Sequence, residues 1–261
     1  MTSWKISSLT DKVRRAFSES ADQYDILASL HREIGRELMH KIMRLPDARR
    51  FLDIGCGTGY LTAKAKFYFP EAQVLGLDFA ESMLIKAQEK HENIHWLAAD
   101  AGHLPLKSKS IDVIVSNLAY QWVFDLPGAF ADVHRVLSPK GTFAATLFGF
   151  HTCGELFSSL QAVGYPVEPL GRLPTLEDVK TALAQADFQK FDVDYERIQI
   201  QFKDLWDLLA WLKNIGANNL SGGQFLGPEI LQEANNYCLK TYPYHDGIRS
   251  TFEVIWIYAQ A

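Results

Sequence analysis

Short apolar runs alternate with amphipathic stretches from residue 50 to about residue 148. The runs at 50–54, Val74–Leu77, Ile94–Ala98, Ile111–Val115 and Gly141–Leu147 read as strands. Helical spacing falls between them at 59–68, Glu81–His91 and Ala129–Leu137, with Pro70 stopping the first of these helices. Continuously apolar strands joined by amphipathic helices are what a parallel sheet covered on both faces requires. Residues 9–22 and 30–44 also have helical spacing and precede the first strand, so 1–48 reads as an N-terminal helical cap and 49–148 as the core. Two further β-rich runs come late, at Tyr195–Gln201 and Thr251–Ala259, and read as further strands. Two helical segments, 151–186 and 202–247, fall on the carboxyl-end side of the sheet, where α/β sheets bind ligands, and are candidate lid segments. The chain therefore reads as one α/β domain over 1–261, a Rossmann-like, doubly wound sheet with helical additions.

The first strand runs into Gly55, Gly57 and Gly59, and Asp78 ends the second. Glycines belong where a backbone turns tightly and a ligand comes within contact distance, because a Cβ would block it. The helix that follows offers free N–H groups to an anionic group. A dinucleotide fingerprint would need Gly or Ala at position 60, and Tyr60 stands there. The pattern Asp53-x-Gly55-x-Gly57-x-Gly59 followed by Asp78 instead resembles motif I of the class I S-adenosylmethionine methyltransferases.

That resemblance implies a seven-stranded sheet, S-adenosylmethionine as cofactor and S-adenosylhomocysteine as product. It implies that Asp53 and the glycines face the methionine part and that Asp78, with Phe79 beside it, takes the ribose hydroxyls. A carboxylate can accept both hydroxyls. It also implies that Met83 packs on the adenine, Asp100 and Ala101 read its edge, and Asn117 lines the methyl-donor end. Each has a plainer reading: Met83 as core, Asp100 as the cap of the next turn, Asn117 as a strand–loop junction, Thr58 as a helix cap.

Four segments resemble a narrower family, the biotin-pathway malonyl-acyl-carrier-protein O-methyltransferases. Phe17 to Asp25 is similar to its F…A…YD opening, Ser116-Asn117-Leu118-Ala119-Tyr120-Gln121-Trp122 to its SNLA-x-QW signature, Leu212 to Asn218 to its LK-x-IGA-x-N segment, and Thr251-Phe252-Glu253-Val254 to its TYEV strand. The resemblance runs from about residue 12 to the end. It departs at Phe252, where the family has Tyr, and over 242–250. It implies methylation of the free carboxylate of a malonyl thioester on an acyl carrier protein. A carboxylate is already ionised at pH 7, so the reaction needs no general base. Tyr24, Gln121, Trp122, Lys213 and Asn218 are the expected substrate-positioning residues, with Tyr24 also closing over the cofactor; Tyr24 and Trp122 also read as core aromatics and Lys213 as a solvated lysine, and Arg172 and Arg249, which no family wording carries, are alternative anion partners. Two other readings stay open: a quinone-ring C-methyltransferase, and a binding module without activity.

Composition narrows the surroundings. The formal charge is −5, which argues against nucleic acid as a general partner. The first fifty residues carry ten Lys/Arg against seven Asp/Glu, so they are positive in an otherwise acidic chain. That imbalance reads either as a solvated helix face or as a docking surface for an acidic partner protein. Cys56, Cys153 and Cys238 are scattered and odd in number, and read as reduced thiols. The eight histidines show no ligand spacing, so no metal is expected. No apolar run is long enough to span a membrane and no signal segment opens the chain, so a cytoplasmic protein is expected.

Overall fold

The computed structural model describes residues 11, 13–19, 29–43, 45, 48–166, 173–215 and 227–261. Tyr24, Arg172 and Asn218 lie outside the described residues, as do parts of the cap and of both proposed lid segments.

After a helical stretch at 13–19, α1 (Ser29–Ile42) leads into β1 (Arg50–Ile54), α2 (Tyr60–Tyr68), β2 (Gln73–Asp78), α3 (Glu81–Lys90), β3 (His95–Ala98) and β4 (Ile111–Asn117). A single 3-10 turn at Tyr120–Trp122 precedes α4 (Leu126–Val136) and β5 (Leu137–Phe148). Then come α5 (Gly154–Ala162), α6 (Leu176–Gln185), β6 (Lys190–Phe202), α7 (Leu205–Asn214), α8 (Pro228–Thr241), β7 (Pro243–Tyr244) and β8 (Gly247–Gln260). The strands form one sheet in the order β3-β2-β1-β4-β5-β8-β6, with β7 pairing on β8. The first five pair in parallel, and β8 is antiparallel to both β5 and β6. The seven long strands are those the resemblance implies; the two-residue β7 is an addition.

Core side chains cover both faces. On one, β1 and β4 residues Phe51, Val113 and Val115 pack with Leu38, Met39 and Ile42 of α1, with α2 and with the apolar faces of α5, α7 and α8. On the other, Leu52, Ile54 and Ile114 pack with Phe130 and Val133 of α4 and Val179 and Leu183 of α6. Strand alternation explains the split, because successive β1 residues point to opposite faces.

The boundaries that moved have local causes. α4 begins at Leu126 rather than near Ala129 because the Asp125 carboxylate accepts from Gly128 N at 3.0 Å and Pro127 suits a first helical turn. β5 pairs with β4 at Leu137, loses register and resumes at Thr142, with Lys140 left-handed at φ 68° in the interruption. β6 is longer than the run at 195–201 because it is an edge strand, mostly exposed, whose polar residues hide its extent. α2 has Gly59, not Thr58, at its N-cap, with no side-chain cap.

Candidate functional site

The carboxyl ends of β1, β2 and β4 converge on a cavity of about 420 Å³. One wall is the glycine loop. Gly55 N and Cys56 N both donate to Leu77 O, at 2.7 and 3.0 Å, which straps the loop to the end of β2. Gly55 and Gly57 take left-handed φ values of 70° and 53° and line the cavity. Gly59, at φ 85°, does not line it: a Cβ there would stand 2.6 Å from the Trp96 ring of β3, so this glycine serves helix-to-sheet packing.

Asp78 stands at the opposite edge of the loop. Its Oδ2 accepts from Gly57 N at 2.8 Å and its Oδ1 from Ala80 N at 2.9 Å. Burial raises its pKa, and the N–H groups of Ala80, Gly57 and Phe79 oppose that rise. Each oxygen keeps acceptor capacity beyond the bond it makes. Met83, fully buried, and Phe79 continue this wall with Phe17 from the N-terminal helical stretch. The Phe17 ring stands edge-on to Phe79 at 6.3 Å and to Trp122 at 5.8 Å, and all three line the cavity. Asp100, Ala101 and His103 form the far end. Asp100 Oδ1 accepts from Gly102 N at 2.7 Å, so it makes the local turn and faces the cavity at once.

The turn after β4 forms the remaining wall through Asn117, Leu118, Ala119 and Trp122. Ser116 Oγ donates to Ile54 O at 2.8 Å, tying β4 to β1 behind the glycine loop. Asn117 donates through Nδ2 to His31 O at 2.9 Å and accepts at Oδ1 from Thr146 Oγ1 at 2.9 Å. It thereby seats α1 on the sheet, and Gly35 of α1 passes so close that a Cβ would stand 3.1 Å from Asn117 Nδ2. The His31 ring lies edge-on to Phe148 at 5.9 Å, and burial lowers its pKa to about 4, so it is neutral at pH 7.

Besides Gly59, four expected site residues sit elsewhere. Asp53 is buried behind the loop, accepts from Thr62 Oγ1 at 2.6 Å, and does not line the cavity. Burial, with the nearby Asp78 charge adding, pushes its pKa up to about 7 against the Thr62 hydroxyl bond. Gln121 turns its amide onto its own turn, donating to Leu118 O at 2.8 Å. Lys213 is exposed on α7 and does not line the cavity. Arg249 is engaged on β8, its Nε 3.3 Å from Glu155 Oε1 and its guanidinium 5.8 Å from the Tyr242 ring centroid. Conversely, Phe17, Leu118, Ala119 and His103 line the cavity, although the sequence pattern assigns them no role there. The SNLA-x-QW wording contained Leu118 and Ala119; nothing marked His103.

A cavity with two left-handed glycines, a buried carboxylate on a backbone N–H and an apolar wall fits a nucleoside with a charged tail, and its volume is within the usual range for small ligands. Among the described residues no group of three or more His, Cys, Asp or Glu could hold a metal ion, and no helix is long and apolar enough to cross a membrane.

Comparison with known proteins agrees with this geometry. Residues 52–145 match the family model of a methyltransferase domain. The malonyl-[acyl-carrier protein] O-methyltransferase of Xylella fastidiosa (strain M23) is 38% identical over 221 residues, covering 80% of this chain and 72% of the relative. The protein of the same name from Geobacter sulfurreducens is 32% identical, covering 94% of this chain and 96% of the relative. Among solved structures, phosphoethanolamine N-methyltransferase 2 of Haemonchus contortus in complex with S-adenosyl-L-methionine superposes with a TM-score of 0.55 at 18% identity, over 86% of this chain and 51% of that one, a likeness of fold. The chain belongs to the malonyl-[acyl-carrier protein] O-methyltransferase family of S-adenosylmethionine-dependent methyltransferases.

Proposed function

We propose that the chain methylates the free carboxylate of malonyl-acyl carrier protein at the start of biotin synthesis. Bound S-adenosylmethionine supplies the methyl: a malonyl carboxylate oxygen bonds to it as the carbon–sulfur bond breaks, leaving S-adenosylhomocysteine and the methyl ester. The observation that carries the reading is the post-β4 turn. Its Asn117, Leu118, Ala119 and Trp122 share one cavity with Gly55, Gly57 and Asp78, and its wording is the substrate-family signature rather than the general cofactor motif.

In this reading Asp78 takes the ribose hydroxyls, Phe79 and Met83 hold the adenine face, and Asp100 with the Ala101 N–H reads the adenine edge. Gly55 and Gly57 leave room for the methionine part, and Asn117 borders the methyl-donor end. The acceptor has an unperturbed pKa of about 4 and needs no proton removed, so the protein's part is alignment and exclusion of water. Phe17 and Trp122, in contact on the cavity wall, are the aromatic residues proposed to keep water from the methyl-donor end. Tyr24, Lys213 and Asn218 are the candidates for meeting the malonyl carboxylate, and 151–186 and 202–247 for its lid. The basic N-terminal helices, with Arg14, Arg15, Arg32 and Arg36, are the proposed docking face for the acidic carrier protein. The three buried free thiols suit a reducing, cytoplasmic setting.

Mass spectrometry of malonyl-carrier protein incubated with the purified protein and S-adenosylmethionine tests the proposal. One methyl group gained, and lost again on mild ester hydrolysis, is the expected result. No gain, with cofactor binding measured separately, overturns the acceptor and leaves the methyltransferase.

A further inference from the structure

The turn between β4 and the 3-10 helix is strained. Leu118 has φ 53°, a left-handed backbone that side chains other than those of Asn and Asp rarely adopt. Its side chain is buried, so it cannot be released by simple exposure to solvent. Two groups hold the strained residue. Leu118 N donates to Thr146 O at 2.9 Å, with Thr146 Oγ1 3.2 Å away, and this fixes its N-terminal side to β5. Gln121 Nε2 donates to Leu118 O at 2.8 Å, and this fixes its C-terminal side. The other end of the Gln121 amide, Oε1, is buried with no hydrogen-bond partner among the described residues. A glutamine that leaves its acceptor unpaired while its donor sits on a main-chain carbonyl is placed for that carbonyl, because an unpaired buried acceptor is unfavourable by itself.

The next residue shows what the strain achieves. Ala119 lies directly against the main chain of Gly55, with no space between them for a further carbon. The left-handed residue at 118 therefore aims Ala119 at the glycine loop, and Trp122, one residue past the latch, at Phe17. Strain held by surrounding structure and concentrated beside a ligand cavity is how pre-organised sites are commonly built.

We propose that Gln121 is a positioning residue: its amide latches Leu118 in the left-handed conformation and so fixes the contact between Ala119 and the glycine loop on which the cofactor rests. Gln121 acts through Leu118 and not by touching the methyl acceptor. The inference rests on the contact of this turn with the glycine loop and on no contact with the acceptor, so it stands or falls independently of which acceptor the protein methylates.

The test compares Gln121→Met, which keeps length and loses the donor, with Leu118→Asn, whose residue tolerates the left-handed backbone without a latch, and with the double variant. Calorimetry with S-adenosylhomocysteine is the readout, beside a thermal melt and the split between kcat and KM for S-adenosylmethionine. Gln121→Met is expected to bind S-adenosylhomocysteine about 10-fold more weakly, the scale of one lost hydrogen bond. Placed in the Leu118→Asn background, the same change is expected to cost less than about 3-fold, because that backbone no longer needs holding. Equal losses in the two backgrounds overturn the latch. So does unchanged S-adenosylhomocysteine affinity with a raised KM for the acceptor alone, which would make Gln121 a substrate contact. Should Gln121→Met fail to fold, Gln121→Asn, an amide one methylene short, takes its place in the same comparison.

Discussion

Ala119 occupies the space that a side chain at Gly55 would need. The two residues are 64 positions apart, on the loops that follow β4 and β1, and a Cβ built on Gly55 would overlap the Ala119 methyl. Gly55→Ala therefore meets two obstacles, the overlap and a φ of 70°. The backbone conformation alone costs about 1–2 kcal/mol for a residue with a side chain. The variant is expected to bind S-adenosylhomocysteine roughly 100-fold more weakly by calorimetry, about 3 kcal/mol in all. Adding Ala119→Gly should recover part of the loss, the part due to overlap. No recovery would mean that the backbone conformation is the whole obstacle.

Asp78 both shapes the loop and faces the cavity. Asp78→Ala removes the acceptor for Gly57 N and Ala80 N as well as the proposed ribose contacts. Hydrogen bonds to a charged group are worth about 1.5–3 kcal/mol each, so cofactor affinity is expected to fall at least ~100-fold. Calorimetry showing unchanged affinity would remove Asp78 from the site.

Asp53 makes stability depend on pH with an unusual sign. Its folded-state pKa is raised from 3.8 to about 7, so between those values the folded protein binds the proton more strongly than the unfolded chain. The stability this contributes is present below the unfolded value and is lost as pH rises through about 7. His31, lowered from 6.5 to about 4, works the opposite way: its contribution is lost as pH falls through that window. Asp53→Asn keeps an acceptor for Thr62 and removes only the first effect. Its stability relative to wild type is expected to improve from pH 4 to pH 7.5 by up to about 4 kcal/mol, since each pKa unit is worth about 1.36 kcal/mol. Urea titrations at the two pH values measure it; a difference independent of pH would show that folding leaves the Asp53 pKa unshifted.

The basic N-terminal face yields a prediction in ratio form. Charge reversal at Arg14, Arg15, Arg32 and Arg36 is expected to lower kcat/KM for malonyl-carrier protein about 10-fold or more relative to malonyl-coenzyme A at low salt. The ratio matters because the Arg14 guanidinium also stands 5.7 Å from the Phe79 ring centroid, so cofactor effects must cancel. Equal losses with both substrates would mean a solvated face.

The cofactor half was legible because its physics is local. A buried parallel strand needs an unbroken apolar run, so β1 is found where 50–54 predicts it, and a ligand against a backbone needs glycine. What sequence could not show is where a polar side chain turns. Asp53 belongs to the cofactor motif by its wording, yet its carboxylate is taken by Thr62 from the first turn of α2. Gln121 suits a substrate donor by chemistry, yet Leu118 O is within its reach and claims it. Phe17 and Trp122 are each readable as aromatics, but their contact joins residues 105 positions apart, and no local pattern encodes that pairing. Lys213 is absent from the cavity wall for a simpler reason: family wording gives a residue's presence and not its direction, and α7 leaves it exposed.

The position of β8 bears on how the chain is made. Residues 247–260 lie between β5 and β6, hydrogen-bonded to both, although both are synthesised first. Until those residues leave the ribosome, β5 has an open outer edge and β6 has no neighbour in the sheet. The glycine loop and its half of the sheet can form early from contacts close in sequence. The other half waits, and a ribosome stalled short of residue 247 holds a chain in which β5 and β6 both lack the strand that joins them, the state from which aggregation starts.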